Sequence, residues 1–182
     1  MSTETKPNDQ DLQNALSSLL ATPLQVQTQY IKDLSFENPQ FLQVLSKGLT
    51  NSPQLAVNIE VQAHGIGENH YEVVLNTSIK ALSPESGSEK NELKAGDQKE
   101  EIIFLLELAY AGVFSLPALP ADILKPFLLV ECPRLLFPFA RSIIANVTKE
   151  SGMPPVILAP VNFMELYEQG SKAQNDIQGG TA

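Results

Sequence analysis

The sequence is poor in cysteine, tryptophan and basic residues. Its 182 residues include one cysteine, Cys132, and no tryptophan. A single cysteine excludes an intrachain disulfide and permits a cytosolic location. There are 12 Lys and Arg residues against 21 Asp and Glu residues, which gives a net charge of -9. Because phosphate groups are bound by clustered Lys and Arg, this balance argues against nucleic acid and is compatible with basic protein partners.

Signals for export or membrane insertion are also missing. The first twenty residues have no basic region before an apolar core, so they do not resemble a signal peptide. The longest apolar run, residues 101–116, carries Glu107 near its middle and is soon followed by Pro117 and Pro120. A membrane-spanning helix needs about 20 consecutive apolar residues. We therefore expect a cytoplasmic protein without membrane insertion.

Residue patterns typical of catalysis or metal binding are scarce. His64 and His70 flank a glycine-containing turn, and they could be a metal-binding or acid–base pair or simply solvated turn residues. The absence of a Cys or carboxylate cluster with ligand spacing favours turn residues. Cys132 lies between Glu131 and Pro133 with no histidine nearby in sequence, which favours a buried structural thiol over a nucleophile. We expect no enzyme activity, no metal and no cofactor.

The apolar run 101–116 predicts a strand around which the fold is organised. Its β-branched and aromatic residues are typical of strands. In a strand, one face carries Ile102, Phe104, Leu106, Leu108 and Tyr110, and the other carries Ile103, Leu105, Glu107 and Ala109. Both faces are mostly apolar and need cover. We expect helices of the same chain on one face and a partner on the face with Glu107.

Three further strands precede this one. The first begins after Pro23, and Leu24, Val26, Thr28, Tyr30, Leu34 and Phe36 alternate with other residues, whereas Ile31 falls on the opposite face. A bulge near Lys32 is possible, but the spacing does not require it. The second and third strands, from Pro53 and from Tyr71, are joined by a turn at residues 64–69, where two glycines permit positive φ. These patterns predict an α+β fold, a four-stranded antiparallel sheet with helices packed on one face.

The remaining segments predict helices, a loop and two tails. Residues 134–150 form the longest helix candidate, ended by Gly152, and Pro138 must lie in its first turn or kink it. Residues 122–130 have helical spacing, but Pro126 makes that helix doubtful. Asn162 is expected to cap a short helix ending at residue 169. We predict a folded domain at 23–169 with a mobile loop at 83–98, and disordered tails at 1–22 and 170–182, with a possible short helix at 11–20.

Four motifs in order resemble the SecB family of bacterial protein-export chaperones. They are YIKDLSFENP at 30–39, YEVVL at 71–75, CPRLLFPFAR at 132–141 and LAPVNFMELY at 158–167. The likeness covers residues 24–169. The 83–98 loop is longer than in the better-known members, and Ala111-Gly112 stands where a glycine pair is expected. The resemblance implies a homotetramer, a dimer of dimers, that holds precursor proteins unfolded in the cytosol and passes them to the SecA motor without a cofactor.

The resemblance also implies two sets of binding residues. SecA is expected to dock on an acidic patch made by Asp33, Glu37, Leu105 and Glu107. The spacing supports this patch, because each pair is an even number of residues apart and can share a strand face. The hypothesis for the client-binding groove combines Leu55, Val57 and Ile59 of the second strand with Phe163, Leu166 and Tyr167 of the last helix. For each of these six residues alone, a place in the core is an equally good interpretation.

Two other functions stay open at this point. One lies within the family, since some SecB-like proteins are chaperones of toxin–antitoxin pairs. The other is a small-ligand binding protein or enzyme built on the same sheet. Suppression of aggregation of an unrelated unfolded protein, near stoichiometric amounts and without nucleotide, would distinguish a holdase from an enzyme.

Overall fold

The computed structural model describes residues 24–47, 53–83 and 102–178, together with positions 10, 13 and 17. The predicted 83–98 loop and N-terminal tail, with its possible helix at 11–20, lie outside the described residues except for these positions and residue 83. Four long strands carry the described structure: β1 (Gln25–Glu37), β2 (Gln54–Gly67), β3 (His70–Leu82) and β4 (Ile102–Ser115). They form one antiparallel sheet in the order β1-β4-β3-β2. The strand predicted within residues 101–116 is thus β4, a central strand of the sheet.

The first strand is less regular than its sequence indicated. Gln27 and Lys32 are each extra residues in the pairing with β4, so β1 contains two bulges. Residues 28–31, between the two bulges, point to the opposite face from the one that a single alternation predicts, because one inserted residue turns every following side chain to the other side. Tyr30 therefore lies on the face opposite Val26, and Ile31 lies on the same face as Val26 and Leu34. The predicted single alternation was wrong for Thr28, Tyr30 and Ile31.

The hairpin between β2 and β3 is tighter than predicted. β2 continues through Gly67, and the turn consists of Glu68 and Asn69 alone, followed by β3 from His70. Asn69 has a φ of 58°, a left-handed conformation that asparagine tolerates. The predicted use of the two glycines for positive φ was wrong, since Gly65 and Gly67 remain in the strand.

The helices follow the sheet, apart from the short α1 (Phe41–Lys47). α2 (Ala121–Pro126) passes through a π-helical turn, Phe127–Glu131, into α3 (Cys132–Glu150). In the π-helical turn, the Cys132 N–H donates a hydrogen bond to the carbonyl of Phe127, five residues earlier. Pro126 and Pro133, on either side of this turn, lack the backbone N–H that an α-helix would use. The absence of these N–H groups from the α-helical pattern favours hydrogen bonds to the carbonyl five residues earlier. The doubtful helix at 122–130 thus exists, and Pro138 lies inside α3 rather than in its first turn.

The last helix, α4 (Phe163–Gln178), begins as predicted and ends later. The Asn162 side chain accepts a hydrogen bond from the Glu165 N–H at 3.3 Å, which caps the helix. α3 ends at Glu150, and Gly152 follows two residues later with a φ of 81°, as expected for a glycine just beyond the end of a helix. The predicted end of α4 at residue 169 was wrong, because the helix continues through residues that were assigned to a disordered tail.

The core lies between the sheet and α3. The helix-facing side chains of β3 and β4, among them Leu75, Ile79, Leu106 and Leu108, pack with Leu136 and Ile144, and each is at most 2% exposed. Burial of apolar surface of this kind is the dominant favourable contribution to folding. We call this the helix side of the sheet and the opposite face the outer side. These helices cover one face only, so the outer side remains available for other contacts.

Candidate binding surfaces

The register of the sheet brings the predicted acidic residues onto one face. Asp33 is opposite Ala109, Ser35 is opposite Glu107, and Glu37 is opposite Leu105, with no shift between them. Because paired residues in an antiparallel sheet point to the same side, Asp33, Glu37, Leu105 and Glu107 all lie on the outer side. The bulge at Lys32 comes just before Asp33 and leaves this stretch regular.

Around Asp33 and Glu107, small and polar neighbours leave a depression of about 260 Å³ on the outer side. Glu107 lies between Ser35 and Ser78, and Asp33 and Asn76 flank Ala109. Glu60 of β2 also lines the depression, and its carboxylate accepts a hydrogen bond from the Asn58 amide at 3.0 Å. Among the described residues, Asp33, Glu37, Glu60 and Glu107 form no ion pair. Their negative charges are therefore available to a basic partner.

A second concavity, the edge groove, runs along β2 on the helix side. It has a volume of about 350 Å³ and is lined by Ile59, Glu60, Val61, Gln62, Lys125, Leu129, Leu166, Tyr167 and Gly170. The strand forms one wall, and the π-helical turn and α4 form the other. Since β2 is an edge strand of the sheet, its outward backbone N–H and C=O groups pair with no other strand among the described residues. The groove thus offers apolar side chains next to unpaired backbone.

The structure unites three of the six predicted client-binding residues in this groove. Ile59, Leu166 and Tyr167 line it, whereas Leu55 and Val57 lie further along β2, where their side chains are 42% and 43% exposed. Phe163 does not belong to the surface. It is 1% exposed and packs edge-on against Phe137, with ring centroids 5.9 Å apart. The prediction of Phe163 as a groove residue is corrected, because the first turn of α4 is anchored in the core.

Sequence reasoning missed Glu60 in the depression and Lys125 and Leu129 in the groove. Glu60 was visible as a polar residue in the alternation of β2, but its distance from the other carboxylates depends on strand order. The two helical residues were hidden by Pro126 and Pro133, which made that helix doubtful.

A third surface is apolar and lies on the helix side of β1. Val26, Ile31 and Leu34 are 38–48% exposed and point to the side on which α3 packs. Ile31 is opposite Tyr110, and the Tyr110 ring stacks on Phe139 of α3 with centroids 6.3 Å apart. Phe139 is itself 51% exposed, and Leu135, one turn earlier, is 42% exposed. We call these five residues the β1–α3 surface: Val26, Ile31, Leu34, Leu135 and Phe139.

A small polar network on the outer side holds the bulged part of β1. The Tyr30 hydroxyl donates to Glu72 of β3, and the Lys32 ammonium contacts the other Glu72 oxygen at 2.7 Å. The hydrogen bonds from Lys32 and Tyr30 lower the pKa of Glu72, and the bond to Glu72 raises the pKa of Tyr30. The network spans the outer side of β4 over Ala111, which is fully buried, and links the edge strand β1 to the central strand β3.

Cys132 is buried, and His70 contacts the backbone of the hairpin turn. Burial, with a smaller contribution from Glu131, raises the pKa of Cys132 to about 12, so a thiolate nucleophile is absent at neutral pH. His70 contacts the Glu68 carbonyl at 2.7 Å in the hairpin turn. In the described part of the chain, no group of three or more His, Cys, Asp or Glu residues could hold a metal ion. The described helices include none that is long and apolar enough to cross a membrane.

Known proteins share both the sequence and the fold. The family model described as preprotein translocase subunit SecB matches residues 20–174. A protein named protein-export protein SecB from Paramagnetospirillum magneticum is 44% identical over 160 residues, which is 86% of this chain and 90% of that protein. The protein of the same name from Afipia carboxidovorans is 42% identical over 90% of this chain and 93% of its own length.

A solved structure supports the fold independently. The SecB-like chaperone of Mycobacterium tuberculosis, in complex with an antitoxin peptide, matches with a TM-score of 0.53 and 11% identity, over 78% of this chain and 93% of that chain. The sheet, its helices and these relatives define the class of the protein as a protein-export chaperone. The chain belongs to the SecB family.

Proposed function

We propose that this protein holds unfolded precursor proteins in the cytosol and delivers them to SecA for export. The observation that carries the proposal is the edge groove, in which Ile59, Leu166 and Tyr167 lie beside the unpaired backbone of β2. An extended client segment could bond to this backbone while its apolar side chains enter the groove. Backbone bonding depends little on the client's sequence, which suits a chaperone with many clients.

The exposed residues Leu55 and Val57 extend the apolar strip along β2 beyond the groove. A client chain longer than the groove could therefore follow the strand. If four such sites are present in a tetramer, one client could occupy several of them, and avidity would strengthen weak individual contacts. The relatives' names support export over a toxin–antitoxin role, because proteins 42–44% identical to this chain are named for protein export.

Groove variants test client binding. The double variant Val57→Gln, Leu166→Gln should raise the Kd for an unfolded precursor about tenfold or more, since loss of an interface anchor commonly costs more than 1 kcal/mol. The matched control is Leu42→Gln, which changes a side chain that is 76% exposed and outside the groove. Equal client affinity in wild type and double variant would contradict the assignment. A double variant that unfolds would instead place these residues in the core.

Delivery to SecA would use the acidic outer side. Asp33, Glu37, Leu105 and Glu107 share this face, and Glu60 extends the negative charge toward β2. A lysine-rich segment of SecA would bind such a face with an affinity that falls with salt. A zinc ion, if present, would belong to SecA. The groove and the acidic face lie on different sides of the sheet, so both partners could be bound at once.

The variants Asp33→Asn and Glu107→Gln test this docking site. Each should weaken SecA binding several-fold at low salt, the difference should shrink at high salt, and client binding should stay unchanged. Glu150→Gln is the control, since it removes an exposed carboxylate at the end of α3. Unaltered SecA affinity in the double variant would show that SecA docks elsewhere.

We also propose that the protein is a homotetramer, a dimer of dimers. The β1–α3 surface supports this proposal, because it places five partly exposed apolar side chains next to a strand edge that pairs with no other described strand. Permanent oligomers bury large apolar surfaces of this kind. The sequence had suggested that the partner covers the face with Glu107. The larger exposed apolar side chains lie instead on the helix side of β1.

A further inference from the structure

The segment between α3 and α4 determines where one wall of the edge groove stands. Residues 154–162 form neither helix nor strand, and three of them are prolines. They lead directly into α4, whose Leu166 and Tyr167 line the groove. Together with the packing of Phe163 on Phe137, the path of this segment sets the position of these two side chains relative to β2.

One buried hydroxyl ties the segment to α3. The Thr148 side chain is fully buried, donates to the Ile144 carbonyl at 2.8 Å, and accepts the Val156 N–H at 2.9 Å. The Ala145 carbonyl is slightly further away, at 3.2 Å. Within the segment 154–162, the Val156 N–H is the one backbone N–H that donates a hydrogen bond to another described residue. Thr148 is therefore the polar anchor of this segment.

The backbone of the same threonine adds two contacts at the end of α3. Its carbonyl accepts the Met153 N–H at 3.2 Å and the Ser151 hydroxyl at 2.7 Å. Beyond this point the segment is held by apolar burial, with Val156 and Leu158 each 7% exposed. A buried N–H without a partner is unfavourable, so loss of the hydroxyl would favour movement of the segment toward another acceptor or water.

We propose that Thr148 is a positioning residue for client binding. Its hydroxyl fixes the 154–162 segment on α3 and thereby holds Leu166 and Tyr167 of α4 at the correct distance from β2. This inference depends on the proposed client-binding role of the groove. Thr148 does not touch the client in this proposal and acts through the segment and α4.

The test compares three variants of Thr148 with a matched threonine elsewhere. Thr148→Val keeps the shape and removes the hydroxyl, Thr148→Ala removes both, and Thr148→Ser keeps the hydroxyl. Thr28→Val is the control, because Thr28 is an exposed threonine of β1 that lines neither the edge groove nor the acidic depression. Client Kd, SecA Kd, native mass and hydrogen exchange of the Val156 amide and α4 are measured for each.

Valine and alanine at 148 should raise the Kd for an unfolded precursor about tenfold and speed amide exchange at Val156 and in α4. Thr148→Ser should keep binding within about twofold of wild type, and Thr28→Val should leave it unchanged. SecA affinity and native mass should stay constant in all variants, which a general loss of stability would not allow. Should the valine variant not fold, the comparison of alanine with serine carries the same test.

Unchanged client affinity together with unchanged exchange in the folded valine or alanine variant would overturn the proposal. Equal loss of client and SecA binding would also overturn it, since that result indicates general destabilisation. If wild type itself does not bind unfolded precursors, the proposed function fails. The exchange measurement would then still show whether Thr148 positions α4.

Discussion

The centre and the edges of the sheet differ far more than their sequences indicate. All four strands have 13 or 14 residues, and the edge strand β2 and the central strand β3 both alternate apolar with other side chains, whereas β4 is apolar on both faces. In β3 and β4, most helix-facing residues are less than 9% exposed, whereas no residue of β1 or β2 is that deeply buried. The centre therefore supplies the stability, and the edges expose the apolar surface that we assign to binding.

This difference shows how one alternating pattern can have two uses. A side chain in a central strand has a strand on each side and a helix above it, whereas the same side chain at an edge is open along one side. β1 adds two bulges that move Tyr30 outward and Ile31 to the helix side. β2 stays regular up to its hairpin end and forms the straight wall of the edge groove.

The largest expected effect concerns the edge strand β1. Ile31→Asp should reduce the native mass of the protein, since a carboxylate would be buried without a partner in an interface between copies, at a cost of several kcal/mol. Native mass spectrometry or light scattering at micromolar concentration measures this change.

Ile66→Asp is the matched control for this prediction. Ile66 is 54% exposed at the β2–β3 hairpin, away from the β1–α3 surface, so its variant should keep the wild-type mass. A wild-type protein that is monomeric, or an Ile31→Asp variant with unchanged mass, would show that this edge does not mediate association.

An intermediate effect on the free energy of unfolding is expected when alanine replaces Gly112 of the central strand β4 but not Gly65 of the edge strand β2. In Gly112→Ala, the new Cβ would lie 2.8 Å from both Leu136 Cδ2 and Phe114 Cε2, and both side chains are fully buried. Overpacking of this kind costs about 1–3 kcal/mol. Around Gly65 there is no atom within 4 Å, so Gly65→Ala should change the free energy of unfolding by less than about 0.5 kcal/mol.

Denaturant unfolding of both alanine variants measures these values. Equal destabilisation by the two substitutions would contradict the proposed contrast between centre and edge.

The smallest effect concerns the link between β1 and β3. The pKa of Glu72 is lowered in the folded protein, so its pairing contributes stability above the ordinary carboxyl pKa of about 4.3, and this contribution is lost as pH falls through the lowered folded value. Glu72→Gln should cost roughly 0.5–1 kcal/mol near neutral pH, because the pair is partly exposed.

The difference between wild type and Glu72→Gln should disappear in acid, as measured by unfolding at several pH values. Glu68→Gln, in the exposed hairpin turn, provides the control. A difference that stays constant from neutral to acidic pH would argue against an electrostatic contribution.

Some features of this protein were determined by local sequence. The two faces of β4, with Leu105 and Glu107 on one of them, follow from the two-residue period of a strand. The cap at Asn162 and the stop at Gly152 depend on neighbouring backbone groups only, so both could be predicted. The four-stranded α+β fold also followed, because the order of strands before helices is visible in the chain.

Other features were decided only by the tertiary structure. The edge groove joins β2 to α4, about a hundred residues later, and no local pattern indicates that Ile59 and Leu166 are neighbours. Phe163 and Leu166 looked equivalent in sequence, yet the first is buried against Phe137 and the second lines the groove. The bulges of β1 depend on its pairing with β4. In a strand without bulges, periodicity fixes the side to which a residue points, but its exposure depends on which other parts of the chain pack against it.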